Sequence, residues 1–464
     1  EPHRAALELL RNNYPQTAGV FLAQPRLQLL AVEPRTWLAA DRQRYDLVIL
    51  PTIGAFGGTA GVFALHEQHS LTREAFTEMW RHLAPNGMLC LSVWMDYPPR
   101  SSLRLAATLA ELLDAEGIDV PAAHLSAVRG WGTVSFCLKR SPLTAEEIGR
   151  IRLFCTERGF DPLLLPDLHP GERDRFNQLQ DQTFFRLLDQ IFTGDRRQVY
   201  ESYLFNLRPA TDDRPFFSQF LRWQTLPHLS ELFGQRVLPA MELGTLVVIV
   251  TFVLMSAAAI VLILLPLLRL GWRGGHRGSV IGHFGCLGLG YMLVEIALIH
   301  RFVLYLGHPV HAAATVICAL LVGSGIGSAC STRLPPSLAP PQRATATVAL
   351  LLVLYALLLA PMLHQAIPLT SVWRLPLALV LLMPVGFVMG LPFPLGLRLL
   401  NRQQPEAVPW AWGINGCLSV LGTSLATIIA IQAGFNAIMI AAAVIYGCAT
   451  LAGARLFPMT LPKH

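Results

Sequence analysis

Between Leu243 and Phe457 the chain is a succession of apolar runs, each long enough to cross a bilayer. A hydrocarbon core of ~30 Å takes a helix of ~20 residues. Seven stretches meet that length: Leu243–Leu265, Val280–Ile299, Val310–Cys330, Ala344–Ile367, Leu375–Leu399, Trp410–Gln432 and Ala437–Phe457. In lipid every backbone polar group must be satisfied within the protein, which favours helices for such runs. Residues 1–242 read instead as a water-facing α/β region. The chain therefore joins a soluble domain to an all-α polytopic membrane bundle, and any function must account for both.

Composition supports this division. With 53% hydrophobic and 14% charged residues, the chain is too apolar for an ordinary soluble protein. Residues 243–464 hold eleven Lys and Arg against two acids, Glu295 and Glu406, a net of +9. The whole chain is +6, so residues 1–242 carry −3. The basic balance thus belongs to loops that anchor membrane spans, and no nucleic-acid partner is implied. The eight cysteines include no CxxC pair, which excludes zinc-knuckle, thioredoxin-like and c-type haem signatures. No metal site is expected.

Positive charge assigns sides. Alternate loops and the tail hold Arg269, Arg273, Arg277, Arg333, Arg343, Arg398, Arg402, Arg455 and Lys463; the other loops hold only Arg301 and Arg374. The first set is expected in the cytoplasm. Seven spans then put the C-terminus in the cytoplasm and the soluble domain outside it, with a bacterial inner membrane as the expected location.

Within the spans, Gly285, Gly288, Gly290, the run Gly323–Ser328 and the pair Gly386/Gly390 let helix backbones approach. Pro384 and the segment Gly390-Leu-Pro-Phe-Pro-Leu-Gly396 interrupt the fifth span. Such a break either kinks a packing helix or lines a transport path. Glu295 is the one acid well inside a span, and an intramembrane carboxylate is a functional-site candidate. It has two readings: an ion pair or helix lock with Arg301 or a histidine, or a proton or substrate site. His283, His300, His308 and His311 lie nearby in sequence, and the i, i+3 spacing of His308 and His311 leaves a haem or quinone role open.

In the soluble half, Arg26–Val32, Asp46–Leu50 and Gly87–Val93 read as buried parallel strands. Thr72–Leu83 is a helix with a capping-box-like start at Thr72 and Glu74. Ser102–Glu116 is a second, amphipathic helix. His124–Val128 and Thr133–Leu138, joined by Arg129-Gly-Trp-Gly132, read as an antiparallel hairpin. The expected fold is a doubly wound α/β sheet with a reversed edge strand, residues 1–140. A helical extension and linker follow at 141–242, then the membrane domain at 243–464.

These elements resemble the S-adenosylmethionine-dependent methyltransferase fold, in its spermidine synthase (polyamine aminopropyltransferase) branch. The resemblance rests on Pro25–Arg35, Tyr45-Asp-Leu-Val-Ile-Leu50, Leu71-Thr-Arg-Glu-Ala-Phe76 and Leu83-Ala-Pro-Asn-Gly-Met-Leu89. It is similar also to the membrane-bound subgroup through Arg208-Pro-Ala-Thr-Asp-Asp-Arg-Pro-Phe-Phe217, Gly290–Phe302, Leu306-Gly-His-Pro309 and Trp410-Ala-Trp-Gly-Ile-Asn-Gly416.

The resemblance implies a cofactor, S-adenosylmethionine or its decarboxylated derivative, and it implies where carboxylates should stand. Glu1 would end the second strand and hold ribose hydroxyls; Glu33 would bind the adenosine part. The first strand and its glycine-rich turn, central to such a sheet, are missing. An upstream extension or a complementing polypeptide is therefore expected to supply them. An Asp should close the fourth strand to position the attacking amine, and Pro51 stands there, followed by Thr52. The loop Gly54–Thr59 holds no carboxylate, leaving Glu67, flanked by His66 and His69, as the nearest acid. The transfer site therefore reads as degenerate, with no catalytic residue and no cofactor expected. Thr211, Asp212, Asp213 and Arg214 form the sharpest remaining polar motif, expected to clasp domain to bundle.

Three functions follow. The first is a non-catalytic scaffold, assembly or accessory subunit of a membrane complex, with lipid and a membrane protein as partners. The second is a membrane-bound aminopropyltransferase. The third is a transporter of a polyamine or other small cation through Glu295 and the Gly390–Gly396 break.

Overall fold

The computed structural model describes residues 4–14, 16, 20–22, 24–54, 63–179, 181–224, 243–271, 275–334, 340–369 and 371–457. The chain divides into two compact units, Asp41–Val247 and Glu1–Ala40 together with Val248–His464.

The first forty residues group with the membrane half. A helix α1 (Arg4–Asn13) is followed, after a turn at Gln24–Leu27, by α2 (Pro34–Ala40). Arg26–Val32 was expected as a strand and is not one. Pro25 and Pro34 bracket it, and no described strand lies beside it to take its backbone bonds. Leu29, Leu30 and Val32 remain exposed. α2 instead rests on the bundle, where the Thr36 hydroxyl donates to the Leu304 carbonyl at 3.4 Å.

Among the described residues, the α/β unit is built on five strands: β1 (Tyr45–Ile53), β2 (Leu83–Trp94), β3 (Leu125–Arg129), β4 (Thr133–Lys139) and β5 (Asp161–Leu164). Their order is β1-β2-β4-β3-β5. Only β1 and β2 are parallel; the other three pairings are antiparallel. The sheet is therefore small and mixed; of the α/β sheet with a reversed edge strand expected, it has one parallel pair and the reversed hairpin. The hairpin β3–β4 stands as read, while β5 went unread because Asp161-Pro-Leu-Leu164 is too short to show a period.

Strand and helix faces follow from the residues. β2 buries Leu89, Leu91 and Val93 on one side, the period-two pattern of a strand. Gly87 lies where a Cβ would come within 2.5 Å of the Tyr45 carbonyl, so only glycine lets β2 start beside β1. Helix α3 (Arg73–Arg81) begins at Thr72, whose hydroxyl accepts from the Ala75 N–H. Glu74 sits one position early for the reciprocal bond of a capping box. α3 buries Phe76, Met79 and Trp80, and α4 (Ser101–Ala115) is buried along nearly its whole length. Helices α5 (Ala145–Arg158) and α6 (Thr183–Thr193) complete the unit.

Asp161, fully buried, accepts backbone N–H bonds from Arg175, Phe176 and Asn177 at 2.7–3.0 Å. It also pairs at 3.3 Å with Arg129, itself 1% exposed. Burial pulls the Arg129 guanidinium below its ordinary pKa, and the Asp161 and Asp174 charges oppose that. The pair ties the end of β3 to a loop ~45 residues on in sequence.

Among the described residues, the membrane half has seven helices long and apolar enough to cross a membrane, the number expected from the sequence: Gly244–Arg269, Arg277–Leu306, Pro309–Arg333, Pro341–Ala366, Val372–Gln403, Pro405–Ala433 and Phe435–Leu456. The first contains α7 (Leu243–Ala259) and a π-helical stretch, Ile260–Leu264. The rest are α8 (Arg277–Leu306), α9 (Pro309–Arg333), α10 (Pro341–Ala366), α11 (Ser371–Met389), α12 (Pro392–Gln403), α13 (Val408–Ala433) and α14 (Phe435–Leu456). α8 is central and packs against α9, α13 and α14.

Candidate functional site

Glycine sets the helix contacts that frame the site. A Cβ at Gly288 on α8 would lie 2.2 Å from the Asn415 carbonyl on α13. On α9, a Cβ at Gly327 would meet the Phe387 carbonyl of α11 at 2.1 Å. A Cβ at Gly390 would meet the Ser324 carbonyl at 2.2 Å. Of the glycines read as close-approach positions, Gly288, Gly323, Gly327, Gly386 and Gly390 meet a facing backbone, Gly285 and Gly290 meet side chains, and Gly325 faces open space.

The fifth span breaks between Met389 and Pro392. Pro392 and Pro394 have no N–H, so the carbonyls of Val388 and Gly390 lose their i+4 donors. Val388 recovers a bond from the Leu391 N–H at 3.3 Å. Beside the break lies a cavity of about 360 Å³, bordered by α8, α9, α11, α12, α13 and α14. Its polar lining includes Tyr291, Ser324, Asn415, Ser419 and Tyr446. The Asn415 amide donates to the Phe284 carbonyl at 3.1 Å, which turns its Oδ1 free as an acceptor. Ser324 and Ser419 donate to their own helices, at the Leu321 and Asn415 carbonyls. Sequence reading singled out Gly323–Ser328 and Gly390–Gly396 but not these polar side chains. The available signal was Asn415, an amide inside an apolar span.

The expected membrane polar residues fall into separate groups. Glu295 lies on α8, one turn beyond Tyr291, with no hydrogen bond or ion pair among the described residues. Arg301 donates to Asn436 Oδ1 at 2.6 Å and lies over the Phe435 ring. His300 stacks on the same ring at 4.9 Å. His308 caps α9 by accepting the Val310 N–H and packs against His311. His283 is fully buried, with Nδ1 2.8 Å from the Ala449 carbonyl.

In the α/β unit, Pro51 lies within β1, the edge strand of the sheet, where proline costs no ladder bond. Open α/β sheets bind ligands at the carboxyl ends of their parallel strands. There β1 offers Pro51, Thr52 and Ile53, and the chain after β2 offers Asp96. Asp96 is taken up by the start of α4: it accepts the Arg100 and Ser101 N–H groups and pairs with Arg100 at 3.2 Å. Glu67 pairs with His69 at 3.0 Å. Glu33 caps α2 through the Thr36 N–H at 2.9 Å and stands in the other unit. Glu1 and most of the Gly54–Thr59 loop lie outside the described residues.

The Thr211–Arg214 motif closes on α3. Thr72 donates to Asp212 Oδ1 at 2.6 Å, and the Asp212 N–H donates to Glu74 at 3.0 Å. A short bridge joins Thr211 to Arg214, whose guanidinium reaches Gln219. Phe216 and Phe217, next in the motif, present carbonyls to Arg104 of α4. The motif thus fastens two helices within the α/β unit. Comparison with protein-family models, characterised proteins and solved structures gave no match.

Proposed function

We propose that the chain is a non-catalytic accessory or assembly subunit of a membrane complex, carrying a degenerate aminopropyltransferase-like α/β unit outside the cytoplasm. The membrane-spanning character is given by the seven apolar helices. One observation carries the rest: the carboxyl end of the parallel pair offers Pro51 where an acid is needed, and its Asp96 is committed to Arg100 and α4. A cationic amine would find no uncommitted carboxylate there among the described residues.

The strand order supports the family resemblance. In the usual doubly wound order 3-2-1-4-5-6, the fourth strand has the first as its outer neighbour. If β1 and β2 stand for the fourth and fifth, the free edge of β1 is where the first would lie. Leu47 and Ile49 on β1 are 52% and 67% exposed, unusual for apolar strand residues next to a core. We assign that edge to a further parallel strand, from an upstream extension or a complementing polypeptide.

Native electrophoresis of solubilised membranes, alongside a transfer assay with decarboxylated S-adenosylmethionine and an amine, tests this reading. A complex well above the 51.0 kDa chain is expected, dissociated by Ile49→Lys and without transfer activity. A species of single-chain size that turns over the cofactor would overturn it.

A further inference from the structure

We propose that Cys90 and Cys137 form a disulfide site that staples β2 to β4 across the sheet. The geometry of the site stands by itself; its oxidation in cells rests on the placement of the α/β unit outside the cytoplasm.

The strand register brings the two together. Cys90 and Cys137 are direct partners in the antiparallel β2–β4 ladder, and their Sγ atoms lie 2.9 Å apart as free thiols. The type of pair is set by the bonds on either side. The Arg140 N–H donates to the Gly87 carbonyl, and the Met95 N–H donates to the Gly132 carbonyl. Bonded pairs alternate with non-bonded ones along such a ladder, so Leu89, Leu91 and Val93 sit in bonded pairs and Cys90 in a non-bonded one. Non-bonded partners have Cα atoms ~4.5 Å apart with their side chains closest, and a disulfide takes Cα separations of ~4.4–6.8 Å. The backbone therefore already has the spacing that a disulfide needs. The next pair on the same face shows the same approach: the Ser92 and Ser135 hydroxyls meet at 2.7 Å.

The surroundings favour this pair over any other. On β2, Leu89, Leu91 and Val93 turn into the core, while Cys90 points to the opposite face, where it and Cys137 are both half-buried. The remaining cysteine of the unit, Cys155, is 2% exposed and lies on α5. The other five stand in the membrane-spanning helices. A metal would need further ligands, and no third His, Cys, Asp or Glu joins the pair among the described residues.

Oxidation is a two-electron exchange. One cysteine thiolate attacks a disulfide reagent, giving a mixed disulfide and one released thiolate. The second cysteine thiolate attacks the first cysteine's sulfur, closes the Cys90–Cys137 bond and releases the other thiolate. Each cysteine gives up one electron, the reagent is reduced to two thiols, and the two cysteine protons end on those thiols. The bond closes a loop that runs from β2 through α4 and β3 to β4, so it restricts the unfolded chain more than a hairpin link would.

The test is peptide mapping under non-reducing conditions, on the full chain in nanodiscs and on the chain from acid-quenched cells. In oxidised and reduced glutathione at ~1 mM each, the linked Cys90–Cys137 peptide is expected to exceed the dithiol by at least ~10-fold. Cys137→Ser should leave Cys90 as a glutathione adduct with no onward step. Dithiothreitol should lower the melting temperature of the wild-type α/β unit by ~5–10 °C and leave that of a Cys90→Ser/Cys137→Ser variant unchanged. Acid-quenched cells should yield the same linked peptide. A link that forms in the glutathione buffer but is absent from cells would keep the site and count against the outside placement instead. A folded chain that stays dithiol in the buffer, links either cysteine to Cys155 instead, or melts at the same temperature with and without dithiothreitol would overturn the proposal.

Discussion

The two units hold together by opposite means. The α/β unit uses long-range charge and hydrogen bonds: Arg129 to Asp161, Thr72 to Asp212, Arg104 to the Phe216 and Phe217 carbonyls. The bundle uses glycine. Gly288, Gly327 and Gly390 each bring a carbonyl of the facing helix to within 2.2 Å of where a Cβ would stand. Water explains the difference. In water, apolar burial drives collapse, and polar pairs then fix which loop meets which helix. In lipid, tails are as apolar as leucine, so helices associate by close packing. Polar groups that packing does not need, such as Asn415, Tyr446 and Glu295, are therefore informative in the bundle.

The contrast breaks most visibly at Gly327. Gly327→Leu should abolish assembly of the bundle, because the side chain would have to displace the Phe387 backbone rather than a flexible side chain. Loss of a monodisperse peak in size-exclusion chromatography is expected. Next in size is the buried pair of the α/β unit. Asp161→Asn leaves the buried Arg129 with Asp174 as its remaining charge partner and takes a carboxylate from the Arg175, Phe176 and Asn177 N–H groups, and should cost ~1–3 kcal/mol in denaturant unfolding of that unit. Asp212→Ala should cost ~1–2 kcal/mol, by freeing Thr72 and the start of α3.

The smallest effect is one of pH. Lys139, bonded at 2.7 Å, holds the Glu147 carboxyl below its ordinary range, with the Thr144 N–H assisting. A depressed folded pKa gives stability that is present above the unfolded value of ~4.3 and lost as pH falls through the folded one. Glu147 is about one-third exposed, so screening keeps this below ~1 kcal/mol. Glu147→Gln should lower stability at neutral pH by up to that amount, leave it unchanged at acid pH where the carboxyl is protonated in both states, and so flatten the acid limb of the profile.

What was legible in the sequence follows the same division. All seven spans were readable because a ~20-residue apolar run has few alternatives. The glycines were readable as contacts because a missing side chain has few other uses in a membrane helix. The sheet was harder. Asp46–Leu50 and the hairpin were found from local pattern, but Arg26–Val32 had the composition of a strand without a neighbour to pair with. Tertiary context decided it. Glu33, expected to meet a cofactor, became a helix cap because α2 begins just after it. The Thr211–Arg214 motif was visible, but its partners Thr72 and Glu74 lie ~140 residues away, a distance that local pattern does not span. The cavity depends on six helices meeting, so its lining could not be read from any single run.

The most direct test of the account is the side of the membrane on which the α/β unit lies. Arg150, exposed on α5, would be replaced by cysteine in a background without native cysteines, and probed in intact cells with a membrane-impermeant thiol reagent. Labelling before lysis is expected. It would keep the unit away from cytoplasmic S-adenosylmethionine derivatives, as a non-catalytic subunit requires. Protection until lysis would contradict the account, placing the unit where the cofactor is and reversing the topology read from the charged loops.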